Sequence, residues 1–222
     1  MKLIPFFSYY GSKHSFINEY PAPKYSVLIE PFAGSAAYAH QYPEREVILV
    51  ERYAVVAEIW RWLVSVSEDE LLSLPDIPRD VDTRTMRLKD VHRNFIGYQI
   101  QGGRETPRFR IGGKPRKWCH DLRIKLARQL QYIRHWQILQ EDYTACINRT
   151  ATWFIDPPYE RAGKGYGAQL KDYLSLGRWC EQRLGQVIAC EALGAQWLDF
   201  REFRSVSGVS GKSSTEAIWL KD

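Results

Sequence analysis

The sequence predicts an α/β fold: a parallel sheet flanked by helices and interrupted by one inserted segment. Three observations lead there. The N-terminal third alternates apolar strand-like runs with helical stripes, the middle of the chain loses that rhythm, and the rhythm returns near residue 136. A length of 222 residues suits one such domain. A composition 45% hydrophobic and 14% aromatic is enough to fill a core, which argues against a disordered chain.

Ser26 to Glu30 is a short apolar run stopped by Pro31 and reads as the first strand. Small residues follow from Ala33 to Ala37, and a helix is predicted to about His40. Glu46 to Val50 is the second strand. Tyr53 to about Ser67 is a helix, because Val55, Val56, Ile59, Trp60 and Leu63 share one side of a helical spiral. Strand–helix–strand–helix order implies parallel pairing. From about Ser67 to Arg134 the pattern breaks at Pro75, Pro78, Pro107 and Pro115 and at two Gly-Gly pairs. That stretch is predicted to hold one or two helices around Arg84 to Tyr98, a loop or hairpin, and a basic helix from about Lys117 to Ile133. The alternation resumes with Trp136 to Leu139 and, more strongly, with Thr152 to Asp156, which Pro157-Pro158 stops. A helix over roughly Gln169 to Leu184, a strand over Gln186 to Cys190, and a closing pair of Phe203–Ser205 with Glu216–Leu220 complete the reading. Residues 1–66 and 135–222 then form one sheet-bearing unit, with 67–134 inserted into it.

Composition narrows the function classes. No apolar run reaches the roughly 18 residues of a membrane span; the most apolar helix, Tyr53 to Val66, is broken by Glu58 and Arg61. The opening seven residues, which include Pro5, are too short for a secretory signal. Cys119, Cys146, Cys180 and Cys190 show no metal-ligand spacing and no disulfide pattern, so reduced thiols, no metal and a cytoplasmic location are expected. The chain is +5, yet the window from Arg104 to Arg134 carries +8 and the remainder −3. A basic segment on a slightly acidic body is the footprint of a phosphate-backbone binder, and it also fits a solvated helix face.

Three motifs carry chemistry. Asp156-Pro157-Pro158-Tyr159 closes an apolar strand, and in an open parallel sheet ligands gather at the carboxyl ends of strands. The prolines remove two backbone donors and hold the chain extended. A carboxylate, a rigid carbonyl and an aromatic ring then lie within one turn, a set that suits a planar base bearing an amino group. Glu30-Pro31-Phe32-Ala33-Gly34-Ser35-Ala36 follows the first strand, where small residues let a cofactor approach the backbone. Glu51, at the tip of the second strand, stands where an acid commonly holds the ribose hydroxyls of an adenosine cofactor, and it also fits a surface glutamate near a helix start.

In that order the motifs resemble the Dam-like family of DNA adenine-N6 methyltransferases. Tyr9-Tyr10-Gly11-Ser12-Lys13 looks like the family's opening motif, Asp142-Tyr143 is similar to the acidic-aromatic pair beside the cofactor adenine, and Ser213 to Trp219 resembles its last strand. The resemblance covers residues of about 5 to 66 and 136 to 220. It implies a Rossmann-like methyltransferase sheet with helices on both faces, a mostly helical or looped target-recognition insertion, and S-adenosylmethionine as methyl donor. Asp156, Pro157 and Tyr159 become the catalytic residues. The cofactor set becomes Tyr9, Gly11, Ser12, Lys13, Glu30, Phe32, Gly34, Ser35, Glu51, Arg52, Asp142, Tyr143 and Asp156. Double-stranded DNA is the implied partner, of a monomer or a homodimer. Two departures stand out: Ala36 where the family usually has Gly, and Glu51 where Asp is commoner.

A base inside a duplex is out of reach, so the target adenine must be flipped out. Arg108, Arg110, Lys114, Arg116 and Lys117 are the candidates for DNA contact, to phosphates or to a guanine edge. The Gly163 to Gly167 loop, with Tyr166, is a candidate cover over substrate. Rival readings are a cytosine-N4 methyltransferase, an RNA or protein-amide methyltransferase, and a non-catalytic DNA-binding module. Asp rather than Ser or Asn before Pro-Pro-Tyr favours adenine, and an intact Asp156 and Tyr159 favour catalysis.

Overall fold

The computed structural model describes residues 3–100, 103–111, 118–160, 170–207 and 213–222. Among these, seven strands form one mixed sheet: β1 (Val27–Glu30), β2 (Glu46–Val50), β3 (Gln137–Leu139), β4 (Ala151–Ile155), β5 (Gly185–Ala192), β6 (Arg201–Ser207) and β7 (Ser213–Lys221). Their spatial order is β3-β2-β1-β4-β5-β7-β6. The first five run parallel; β7 lies antiparallel to β5, and β6 antiparallel to β7. The helices are α1 (Ala54–Ser65), α2 (Glu68–Leu72), α3 (Asp90–Ile100), α4 (His120–Gln129) and α5 (Tyr173–Glu181).

Successive strand residues point to opposite faces, and the central strands are apolar on both. Leu28, Val47, Leu49 and Phe154 join a core with Ile59, Trp60 and Leu63 of α1, Phe95 and Tyr98 of α3, and Leu126 of α4. Ile29, Ile48, Val50, Trp153 and Ile155 face the other way and meet Leu176 and Cys180 of α5. Helices therefore cover both faces. Residues of the inserted stretch, from Leu71 to Ile133, belong to the first of these cores.

The strands and α1 fall close to where periodicity places them, and the closing pair is longer than expected. The predicted helix after β1 is absent as an α-helix; residues 31–38 form turns, and one 3₁₀ turn spans Ala39–Gln41. Gly34 and Ala36 both take positive φ, +46° and +51°, which interrupts a right-handed helix. Arg84 lies in a 3₁₀ turn (Thr83–Thr85) rather than in the helix predicted there, which starts at Asp90. The short α2 was not predicted. Its start is capped by Ser67, whose hydroxyl accepts the Glu70 N–H at 3.1 Å, and the Ser-x-x-Glu pattern was there to be read. Residues 103–111 contain no strand, and Gln169, the predicted start of α5, lies outside the described residues.

The chain lays down β1, β2 and β3 in one direction and then returns to place β4 on the other side of β1. Between β1 and β4 the connections leave in opposite directions, and this opens a crevice at the carboxyl ends of the two strands.

Candidate active site

Glu30, the last residue of β1, is buried, and its Oε1 accepts the Ala39 N–H at 2.6 Å. Burial pushes its carboxyl up to about 8. The turn that follows is held by groups arriving from β2 and α1. The Trp60 indole N–H donates to the Gly34 carbonyl at 2.8 Å. Glu51 brackets two segments, accepting the Gly34 N–H at 2.9 Å with one carboxylate oxygen and the Tyr53 N–H at 2.8 Å with the other. Burial raises the Glu51 carboxyl, while the N–H groups of Tyr53, Gly34 and Arg52 oppose the shift. A carboxylate offers about four acceptor positions and three N–H groups take part there, so roughly one remains at Glu51 for a ligand. Ala36, the departure from glycine, has positive φ. Its cost is a left-handed backbone, about 1–2 kcal/mol for a non-glycine residue, rather than a methyl group obstructing a ligand.

At the end of β4 the Asp156–Tyr159 turn is locked from three sides. The Tyr173 hydroxyl at the start of α5 donates to the Pro158 carbonyl. The Glu160 N–H donates to Glu191 of β5 at 3.1 Å. The Tyr159 hydroxyl donates to Glu216 of β7. The Pro158 carbonyl is thus engaged, and Pro157 is left as the candidate backbone acceptor.

The N-terminal segment enters this corner through Lys13. Its Nζ donates to Asp156 Oδ1 at 2.9 Å and to the Gly11 carbonyl at 3.1 Å, and lies 3.9 Å from Glu216. It also sits 4.7 Å from the centre of the Tyr159 ring, occupying one of its faces. Burial works against the Lys13 charge, but Asp156 and Glu216 outweigh it and hold the ammonium above its ordinary range. Burial raises the Asp156 carboxyl, and Lys13 pulls it back down. Burial likewise raises Glu216, against Lys13 and the Tyr159 hydroxyl. The Ser35 hydroxyl donates to Ser12 at 3.0 Å, tying the same segment to the glycine turn.

One cavity of about 390 Å³ occupies the crevice. Every residue that the sequence assigned to cofactor or base lines it: Tyr9 and Gly11 through Lys13, Glu30, Phe32, Gly34, Ser35, Glu51, Arg52, Asp142, Tyr143, Asp156, Pro157 and Tyr159. At one end Phe32 stacks on Tyr143 at 5.3 Å. Arg52 pairs with Asp142 at 3.5 Å, and Asp142 also accepts the Thr144 N–H at 3.1 Å, capping the next turn. Sequence reasoning missed Glu216, Thr215, Tyr53 and Leu170. For Glu216 the only available signal was its place on a strand beside β5.

The basic window divides between supporting and exposed side chains. Arg123 is buried, pairs with Asp76 at 2.7 Å and lies over Trp118, and Arg134 donates to the carbonyls of Leu63 and Val66 at the end of α1. Both serve packing. Arg108 and Arg110 are exposed beside a second, open cleft. Lys114, Arg116, Lys117 and the Gly163–Gly167 loop with Tyr166 lie outside the described residues.

Neither a family model nor a curated protein matches this chain. Among the described residues no group of His, Cys, Asp or Glu is arranged to hold a metal, and no helix is long and apolar enough to cross a membrane.

Proposed function

We propose that the chain is a DNA methyltransferase that transfers a methyl group from S-adenosylmethionine to N6 of an adenine flipped out of the duplex. The observation that carries this reading is the meeting of Lys13 and Asp156 in one cavity with the glycine turn and Glu51, at the crevice between β1 and β4. The strand order around that crevice follows the doubly wound nucleotide-binding arrangement on its parallel side, in keeping with a Rossmann-like methyltransferase sheet.

The residues present fit the cofactor. The cavity is within the size range of small-molecule sites. The Phe32–Tyr143 stack offers a platform for a purine, and the remaining acceptor position of Glu51 suits a ribose hydroxyl. Lys13 with Asp156 and Glu216 sums to −1 when all three are charged, a field that favours a sulfonium cation. When bound, S-adenosylmethionine supplies an electrophilic methyl group.

The chain's own residues do the rest. An aromatic amine shares its lone pair with the ring and is a weak nucleophile. Asp156 and the Pro157 carbonyl, accepting its two hydrogens, draw the nitrogen towards tetrahedral geometry and stabilise the charge that develops on it. A raised carboxyl makes Asp156 a better proton acceptor than an ordinary aspartate. Lys13 holds the carboxylate in place and shuts one face of Tyr159, so the base stacks on the other. The Glu216 contact fixes the ring's tilt.

Incubation with labelled S-adenosylmethionine and DNA, RNA or protein, followed by nucleoside digestion, tests this. Label in N6-methyladenosine from DNA is expected, and Asp156→Ala should abolish it while cofactor binding is weakened rather than lost. Label in N4-methylcytosine, in RNA or in protein alone, or normal turnover by the variant, would overturn the assignment.

A further inference from the structure

The second cleft holds two arginines on one carboxylate. Asp82 is buried at 7% exposure and is the N-cap of the 3₁₀ turn Thr83–Thr85, accepting the Arg84 N–H at 3.0 Å. Its two oxygens also accept Arg84 Nε at 2.9 Å and Arg84 Nη2 at 2.6 Å, a forked pair. Arg110 Nε donates to the same carboxylate at 3.1 Å. The Thr83 N–H donates to the Phe109 carbonyl at 2.8 Å, which clips the turn to the segment carrying Arg110, and the Arg84 guanidinium lies over the Phe109 ring at 5.2 Å. Arg108 and Asn94 share the cleft, and Tyr53 lines both it and the crevice cavity, so the two openings adjoin.

This arrangement gives up charge for orientation. A group meant only to attract phosphates gains from every net positive charge, and a buried carboxylate between two arginines cancels one of them. What Asp82 supplies is direction. With Nε bonded to Asp82, the exposed Arg110 side chain is restrained in direction, its two terminal nitrogens meet no second acceptor among the described residues, and part of the ordering cost of a long side chain is met in the free protein. Two parallel N–H donors restrained in direction match the O6 and N7 acceptors of guanine in the major groove.

We infer that Arg110 reads a guanine edge next to the target base, with Asp82 and Arg84 as its positioning residues. The inference rests on the DNA-methyltransferase reading for its partner, and it resolves the choice between base and phosphate that the sequence left open for Arg110.

The test uses the full chain and a pool of duplexes randomised around a fixed adenine. Bound sequences are selected without cofactor, and methylated sequences are selected with it. The wild-type chain should enrich guanine at one position near the adenine. Arg110→Ala should erase that preference, a loss of roughly ten- to a hundredfold in discrimination, with little change in the salt dependence of binding. Asp82→Asn keeps an acceptor for the cap and removes a negative charge. It should bind random DNA as tightly as the wild type or more so while discriminating less, a combination that a merely structural role does not produce. Thermal unfolding of both variants verifies that they fold. Unchanged preference in Arg110→Ala, or a salt slope lowered by about one with preference intact, makes Arg110 a phosphate contact and overturns the inference. Guanine-selective binding without any adenine methylation would overturn the methyltransferase reading and leave this one standing, and absence of DNA binding would overturn both.

Discussion

Ala36 sits in the left-handed region with its side chain fully buried. Ala36→Gly should therefore raise stability by up to about 1 kcal/mol, because relief of strain outweighs the added freedom of the unfolded chain; denaturant unfolding reads the sign directly. Lys13 pulls the Asp156 carboxyl down against its burial. Removing the ammonium in Lys13→Met leaves that carboxyl higher still, so the rise of activity with pH should move to more alkaline pH, with at least a roughly tenfold loss of rate at neutral pH. An unmoved pH–rate profile would show that the pair is not part of the chemistry. Glu30 gives a linkage prediction. Its folded value of about 8 lies well above that of an unfolded glutamate, so the folded state keeps a proton that the unfolded state has released, and stability falls as pH rises towards 8. The buried His40, lowered to about 4, acts the other way, but its effect ends near the ordinary histidine value of about 6.5. Between pH 6.5 and 8 the Glu30 contribution should cost up to about 2 kcal/mol. Glu30→Gln, which keeps an acceptor for the Ala39 N–H, should remove that part of the slope in unfolding measured at the two pH values. At this scale Asp156, Tyr159, Lys13 and Gly34 were readable because short motifs hold them; the bracket made by Glu51 was not, since its partners depend on how the strand tips meet.

At the scale of elements, strands with both faces apolar announced themselves, and so did α1 with its single stripe. The turn after β1 did not, because small residues suit a helix and a tight turn equally, and only tertiary contacts from Trp60 and Glu51 select the turn. The basic window was legible in charge and not in role. Arg123 of α4 is buried against Trp118 and Asp76. Arg123→Ala should destabilise by about 1–3 kcal/mol and, on the proposed function, leave the salt dependence of DNA binding unchanged, whereas loss of an exposed phosphate contact would leave stability alone and reduce that dependence. Gly97 of α3 shows how an element positions a neighbour: a β-carbon there would lie 2.6 Å from the Arg108 carbonyl oxygen. Replacing it with alanine should push residues 107–110 away and weaken sequence discrimination before it affects cofactor binding, which calorimetry and duplex selection together would reveal.

For the whole molecule, strand order decides where chemistry can happen, and the reversal between β1 and β4 brings residue 13 within hydrogen-bond reach of residue 156. The inserted stretch is laced to the N-terminal segment as well: Gln99 donates to the Phe6 carbonyl, the Gly103 N–H to the Ser8 hydroxyl at 2.9 Å, and the Tyr10 N–H to the Arg104 carbonyl at 3.3 Å. Such lacing lets one ligand tighten the groups that hold the other. On the proposed function, the dissociation constant for S-adenosylmethionine should fall severalfold when duplex DNA is present, and by reciprocity DNA should bind tighter with S-adenosylmethionine; equal values in both conditions would show that the two sites are uncoupled. The same corner has a consequence for covalent labelling. Only an uncharged amine attacks an acylating reagent, and Lys13 is both sheltered and kept protonated by two carboxylates. It should acquire label later than the surface lysines Lys24 and Lys89, and its rate would serve as a clock for how often the crevice opens.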